Sequence, residues 1–332
     1  MPSKDFCLPD VICHADWSAN PAKRWMALAL RSGEARYAAH HPTLVGDPTT
    51  LFYRLREMVG GDAIVLAGFD FPIGLPLKYA RKVGVEDFLD LLPKLGRGRW
   101  EDFFSVAETA EQIGLYRPFY PSYPGERKHS ELIRALGVAG MADLRRKCDL
   151  AHAGRRAASP LFWTLGAQQV GKAAIHGWKE VLVPGIRTKK FDLSIWPFSG
   201  PLMHLLRPGR IIIAETYPAD FYTHLGISFS YRGAGRKSGK RVQVDRAANA
   251  ERLIDWAEQA GVKLADELRS GMELGFGSAP RGEDLFDACI GLFGMLNVVL
   301  GKRPAGEPED VEVRKVEGWI LGQGNHPIPA FA

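Results

Sequence analysis

Acidic residues carry the chemistry this sequence offers, and their positions matter more than their number. Asp16 closes the run Val11-Ile12-Cys13-His14-Ala15-Asp16. Asp70 closes Ile64-Val65-Leu66-Ala67-Gly68-Phe69-Asp70, and Glu215 closes Arg210-Ile211-Ile212-Ile213-Ala214-Glu215. Apolar runs of this kind, bounded by turn residues, read as buried strands. In open α/β sheets, ligands are held beyond the carboxyl ends of such strands. Two more acids, Asp284 and Asp287, stand three apart in a helical pattern running from about Glu283 to Leu300, hence on one helix face. Any one of these acids has an ordinary explanation in solvation, turn bonding or helix capping. Together they define a chemistry. Carboxylates converging on one sheet edge repel each other unless cations intervene, and an oxygen-only set suits Mg²⁺ or Mn²⁺. Two such ions about 4 Å apart activate a water and stabilise the leaving oxygen of a phosphodiester.

The elements that must position these acids can be read in chain order. After the first strand, Trp25 to Leu30 and Ala35 to His40 alternate as strands joined by short links, which implies antiparallel neighbours. Pro48 to Val59 reads as a helix capped by Asp47, with Leu51, Leu55 and Met58 inward. The Asp70 strand then returns parallel to the first, and Pro72, Gly74 and Pro76 forbid a helix continuing straight out of it. From 77 to 208 the pattern turns helical and irregular, with helices expected over 85–92, 100–112, 130–136, 142–151 and 160–181. The expected fold class is therefore α/β: a mixed five-stranded sheet flanked by helices, in one domain spanning 1–332, with 77–208 as a helical insertion between the fourth and fifth strands, packed over one sheet edge. Helices at 244–260 and 283–300 complete the chain.

Composition narrows the class. With 46% hydrophobic and 24% charged residues, the 332-residue chain reads as globular, not disordered or membrane-bound. No apolar stretch approaches the roughly 20 residues that span a bilayer, and the start Met1-Pro2-Ser3-Lys4-Asp5-Phe6 has no signal-like apolar region. Cys7, Cys13, Cys148 and Cys289 are scattered and form no metal or disulfide pattern, so a reducing, cytoplasmic setting is expected. The net charge of +5 is modest, but Arg232, Arg236, Lys237, Lys240, Arg241 and Arg246 crowd a Gly- and Ser-rich stretch opposed only by Asp245. Such a loop attracts phosphates. Lys172, one helical turn from Gln169, is a further candidate phosphate contact. His14 shares a strand face with Asp16 and is either a proton carrier or, more commonly for a strand His, structural. There is no GxxxxGK[ST] phosphate loop, no strand-linked GxGxxG and no GxSxG elbow.

The strand order, with its late acidic helix, looks like the RNase H-like superfamily. The chain resembles, over nearly its whole length, a domain-of-unknown-function family regarded as RNase H-like nucleases. The resemblance lies in Ala15-Asp16-Trp17-Ser18, Gly68-Phe69-Asp70-Phe71-Pro72-Ile73-Gly74-Leu75-Pro76, Glu215-Thr216-Tyr217-Pro218 and Asp284-Leu285-Phe286-Asp287-Ala288. Within the insertion it extends to Ser159-Pro160-Leu161-Phe162-Trp163, Gln169-Val170-Gly171 and Trp196-Pro197-Phe198. It implies that Asp16, Asp70, Glu215 and Asp287 are catalytic metal ligands, with Asp284 a fifth candidate, and that Mg²⁺ or Mn²⁺ serves hydrolysis of RNA or DNA. One position departs: Trp17 follows Asp16 where many family members carry glycine, and its indole either stacks on a base or belongs to the core. Two other readings remain at this level. An actin- or sugar-kinase-like Mg-nucleotide binder would use strand-end acids too, but Trp17-Ser18-Ala19-Asn20-Pro21 lacks the glycine turn that group needs. A non-catalytic nucleic-acid-binding module would have no use for a repulsive carboxylate cluster.

Overall fold

Short links leave the first three strands as an antiparallel meander, and the next long apolar run returns beside the first. In the computed structural model, which describes residues 7–34, 36–152, 155–166, 170–229 and 239–324, the strands are β1 (Val11–Asp16), β2 (Trp25–Gly33), β3 (Arg36–Leu44), β4 (Val65–Phe69), β5 (Asp192–Ile195), β6 (Arg210–Glu215) and β7 (Val262–Leu264). They form one mixed sheet in the order β5-β6-β4-β1-β2-β3-β7. β1 pairs antiparallel with β2, and β4 pairs parallel with both β1 and β6. The class is thus α/β as expected, with seven strands among the described residues where the sequence suggests five. The two extra strands are the edges. β5 is Asp-Leu-Ser-Ile and β7 is three residues after Gly261, too short to carry a hydrophobic period.

Side chains alternate across the sheet, and the two faces build two cores. Val11, Cys13, Ala15, Val65, Ala67, Phe69, Ile211 and Ile213 point into one core. Ile12, Leu66, Ile212 and Ala214 point into the other. The first core is filled mainly by the insertion, through residues such as Phe88, Trp100, Phe103, Phe119 and Trp178. The second is filled by the long helix Arg281–Val299 and the helices Ala250–Ala260 and Asp266–Glu273. The insertion therefore covers a sheet face, not an edge, because its aromatic side chains need a broad apolar surface to bury against. Its limits also shift: β5 lies inside 77–208 and is hydrogen-bonded to β6, so the excursion from the sheet ends before Asp192.

Inside the insertion the helix expected over 130–136 is present as His129–Leu136, but the others are shorter than the apolar spacing suggests. Only single turns occur at Gly98–Trp100, Ala110–Gln112, Met141–Leu144 and Lys147–Asp149. The helix expected from 160 starts at Val170 and passes through a π-helical stretch, Trp178–Leu182, into Val183–Thr188. Residues 160–163 instead make a turn, the Trp163 N–H donating to the Pro160 carbonyl at 3.1 Å, and the segment is tied to Tyr120, whose N–H donates to the Phe162 carbonyl at 2.9 Å and whose carbonyl accepts from Thr164 at 3.0 Å. Tertiary pairing overrides a short apolar period there. Asp47 caps a turn at Pro48–Thr50 as expected, and Leu51, Phe52 and Leu55 face inward, but Met58 is exposed. The segment 244–260 is two helices, Gln243–Ala247 and Ala250–Ala260.

The long helix is buried almost all round, which explains its weak amphipathic pattern. It lies on β1 so closely that a Cβ at Gly291 would sit 2.2 Å from the His14 ring. Gly291→Ala should therefore destabilise the fold by about 1–3 kcal/mol through overpacking, although in a free helix the same change stabilises. Urea unfolding measures this; an increase in stability would contradict the close packing.

Candidate metal and substrate site

The parallel register decides which acids can meet. Ala15 pairs with Phe69, and Phe69 pairs with Glu215. Glu215 is thus in register with Ala15 and Phe69, whose side chains enter the insertion-side core. Asp16 and Asp70 belong to the next row, tied by the Asp70 N–H donating to the Ala15 carbonyl at 3.1 Å. The β6 residue of that row is Thr216, whose N–H donates to Phe69 at 2.9 Å. Alternation sends this row toward the long helix, which presents Asp284 and Asp287.

Asp16, Asp70, Asp284 and Asp287 accordingly act on one another. Burial, then the carboxylates of Asp287, Asp70 and Asp284, push the Asp16 carboxyl well above the usual range. Asp70 is pushed up to about 7, by burial first and by Asp287 next. Asp284 rises to about 6 for the same two reasons, with Glu283 adding to them. Asp287, only 5% exposed, is raised by burial against the pull of Lys240. The Lys240 ammonium donates to Asp287 Oδ2 and lies 3.4 Å from Glu283 Oε1. Burial works against that ammonium's charge, but Asp287 and Glu283 more than offset it and hold its pKa above the ordinary lysine range. The Tyr222 hydroxyl donates to Asp287 Oδ1 at 3.4 Å. Lys240, expected from sequence to meet phosphate, is thus the cation already seated among the acids.

Glu215 stands apart. Its two carboxylate oxygens accept from Arg146 at 2.5 and 2.6 Å, and Oε2 also accepts from the Ile73 N–H at 2.6 Å. Arg146, fully buried, donates as well to both oxygens of Asp149 and to the carbonyls of Ile73 and Glu317. Burial raises the Glu215 pKa while Arg146 opposes the shift. The pair grips both polar groups of Ile73, and the neighbouring Pro72 carbonyl accepts from Trp178 Nε1 at 2.6 Å. Gly74, with φ +126°, presses against the Glu317 carbonyl, which a Cβ would approach to 2.1 Å. The turn that carries Asp70 is therefore fixed along its length.

The remaining candidates separate. Trp17 is 6% exposed and packed edge-on to Phe69 and Phe71, with the Arg24 guanidinium 4.4 Å from its ring, so its role is mainly that of a core aromatic. His14 is fully buried, bonded through Nδ1 to the Ala288 carbonyl at 3.1 Å, and its pKa falls to about 3 through burial; it is structural. Arg241 is exposed and lies 3.9 Å from Glu283. Lys172 is half-buried on a helix whose Val170 and Ala173 line the cleft described next. Arg232, Arg236, Lys237 and Gln169 lie outside the described residues.

A cleft of about 560 Å³ opens beside Asp70, walled by Tyr217, Tyr222, Phe229, Arg155, Lys240 and Arg241 among others. Sequence reasoning misses Arg146, Asp149, Arg155 and Asp220. Arg146 and Asp149 fall in the stretch 142–151 where a helix is expected but only short turns at Met141–Leu144 and Lys147–Asp149 form. Arg155 lies outside any expected element, and Asp220 follows the Glu215 motif within a short turn at Pro218–Phe221. Asp220, raised by burial, has Arg155 Nε at 3.5 Å. Among the described residues, no three His, Cys, Asp or Glu side chains stand together in an arrangement able to hold a metal ion; Asp287 is paired with Lys240 instead. Compared with protein-family models, curated proteins and solved structures, the chain matches none.

Two predictions follow from this geometry. Arg146→Met strands the buried Glu215 and Asp149 carboxylates and should cost about 3–5 kcal/mol, measured by denaturant unfolding; a cost below 1 kcal/mol would contradict the clamp. The second concerns pH. Asp70 titrates near 7 in the fold and near 3.8 in its unperturbed state, so the native state binds more protons than the unfolded one between those values. Its contribution to metal-free stability is therefore most favourable at low pH and is lost as pH rises through 4 to 7. The melting-temperature difference between wild type and Asp70→Asn, measured without metal, should move against wild type across that window; a flat difference would show that Asp70 is not strained.

Proposed function

We propose that this protein is a divalent-metal-dependent phosphodiesterase acting on nucleic acid, on an RNase H-like arrangement of its sheet. The observation that carries this reading is the mutual strain of Asp16, Asp70, Asp284 and Asp287 at the carboxyl ends of β1 and β4, beside an open cleft. The order β6-β4-β1-β2-β3, with β2 antiparallel and the others about β1 parallel, supports the superfamily resemblance. A cluster of half-buried like charges is costly to a fold that uses it for nothing. Free thiols at Cys13, Cys148 and Cys289, all buried, go with a cytoplasmic setting. Among the described residues, no helix is long and apolar enough to cross a membrane.

The donor set fits Mg²⁺ or Mn²⁺ in its chemistry, being carboxylate oxygens raised in pKa by burial first and by neighbouring carboxylates next. Asp16, Asp70 and Asp287 would hold the ion only after Lys240 leaves Asp287 and the three carboxylates draw closer than they stand here, with Asp284 at its rim. Glu215 does not fit, because Arg146 and Ile73 occupy its oxygens. A bound ion supplies an activated water and charge stabilisation at phosphorus. The chain's own residues do the rest. The clamped turn fixes the direction of Asp70. Tyr222 orients Asp287. Lys240 and Arg241 set positive charge at the cleft mouth, where phosphate oxygens arrive.

Metal-dependent cleavage of a mixed RNA and DNA panel tests the reading. Wild type should cleave only with Mg²⁺ or Mn²⁺, and Asp70→Asn should lose about a thousandfold in rate while remaining folded. Absence of cleavage together with no thermal shift on adding metal would remove the proposal. Equal cleavage by Asp70→Asn would move the centre elsewhere.

A further inference from the structure

Five of the nineteen residues that line the cleft beside Asp70 are aromatic. Tyr217, Tyr222 and Phe229 are half-buried and line it, while the packed rings of Trp17 and Phe71 contribute to its wall. The Tyr222 hydroxyl reaches back to Asp287, and Asp70 is the member of the acid cluster that lines the cleft. Next to Tyr217 lies a built polar group. The Arg155 guanidinium stands 5.0 Å from the Tyr217 ring centroid, and the Arg155 side chain is only 9% exposed, 3.5 Å from Asp220. Among the described residues its Nε has only the long contact to Asp220 Oδ1 at 3.5 Å and no hydrogen bond of ordinary length. A buried donor so weakly paired gains from an acceptor that a ligand brings. The Thr216 hydroxyl, also buried in the cleft wall, has no hydrogen-bond partner among the described residues.

Size and chemistry together restrict the occupant. A volume near 560 Å³ lies in the range of small-molecule sites. Aromatic rings offer a stacking face to any nucleobase, whatever its identity. A duplex keeps its bases stacked and has no free face to give. We propose that this cleft receives one unpaired nucleotide, with its base against Tyr217, the base's polar edge toward Arg155, and its phosphate toward Asp70, Lys240 and Arg241. The nucleic acid engaged is therefore single-stranded at the site, or has one base turned out of its helix. This inference rests on the phosphodiesterase reading for its choice of a nucleotide over another planar anion.

The test uses the full chain and a short oligonucleotide carrying 2-aminopurine, offered as a single strand or annealed to its complement. Calcium replaces magnesium, so that phosphates can approach the carboxylates in a looser coordination. Binding is read by anisotropy and stacking by 2-aminopurine quenching. The single strand should bind at least about tenfold more tightly than the duplex and be quenched. Tyr217→Ala should weaken single-strand binding about fivefold to a hundredfold, the range for losing one stacked base, and Tyr217→Phe, which keeps the ring, should bind as wild type. Equal affinity for duplex and single strand would overturn the inference, as would unaltered binding by Tyr217→Ala. Cleavage is scored separately: tight single-strand binding with no metal-dependent cleavage would remove the phosphodiesterase reading and leave the nucleotide cleft standing. Cleavage with no preference for single strands would do the reverse.

Discussion

Arg146 is fully buried, and a guanidinium stays charged in such a place only if carboxylates and carbonyls surround it. Asp149, Glu215, Ile73 and Glu317 supply that shell. The four partners come from a loop of the insertion, the end of β6, the turn after β4 and a segment near the end of the chain. One buried cation thus joins the insertion, the sheet and the closing segment at the point where the parallel strands end. Charge neutrality in a low-dielectric interior is the constraint, and the placement of Asp70 follows from it.

The same constraint sorts the acids into two groups. Glu215 and Asp149 are compensated by Arg146 and cannot offer their oxygens elsewhere without stranding a buried charge. Among the described residues, Asp16, Asp70, Asp284 and Asp287 have the Lys240 ammonium bonded to Asp287 and the influence of Lys23 on Asp284. Burial first, then neighbouring carboxylates, raises their pKa values. Four clustered carboxylates with this little positive charge beside them among the described residues gain from a further positive charge. That imbalance, at the mouth of an aromatic cleft, is the physical basis of the proposed activity.

Much of this could be read from the sequence, and the failures have physical causes. The apolar runs before Asp16 and Asp70 identified both acids as strand-end residues, and the spacing of Asp284 and Asp287 put them on one helix face. Glu215 also closes a strand, but strand ends are not equivalent: a period of two turns a one-residue difference in register into opposite faces. The pairing of Phe69 with Glu215 is a tertiary fact, and only it separates Glu215 from Asp16. Arg146 lies in the stretch 142–151 where the spacing suggested a helix and the fold makes only short turns, so nothing local distinguished it from a surface arginine. Lys240 was legible as a basic residue, but its carboxylate partners arrive from a helix much later in the chain. The edge strands β5 and β7 were missed because three or four residues cannot show a pattern.

The central claim is that the four aspartates, and not Glu215, form a divalent-cation site. Anomalous diffraction from crystals soaked in Mn²⁺ tests it most directly. The account predicts density within coordination distance, about 2.0–2.2 Å, of oxygens from Asp16, Asp70 and Asp287, with Lys240 moved off Asp287 and the Arg146–Glu215 pair intact. Density bound by Glu215 oxygens, with that pair broken, or no anomalous peak at the cluster under saturating Mn²⁺, would contradict it.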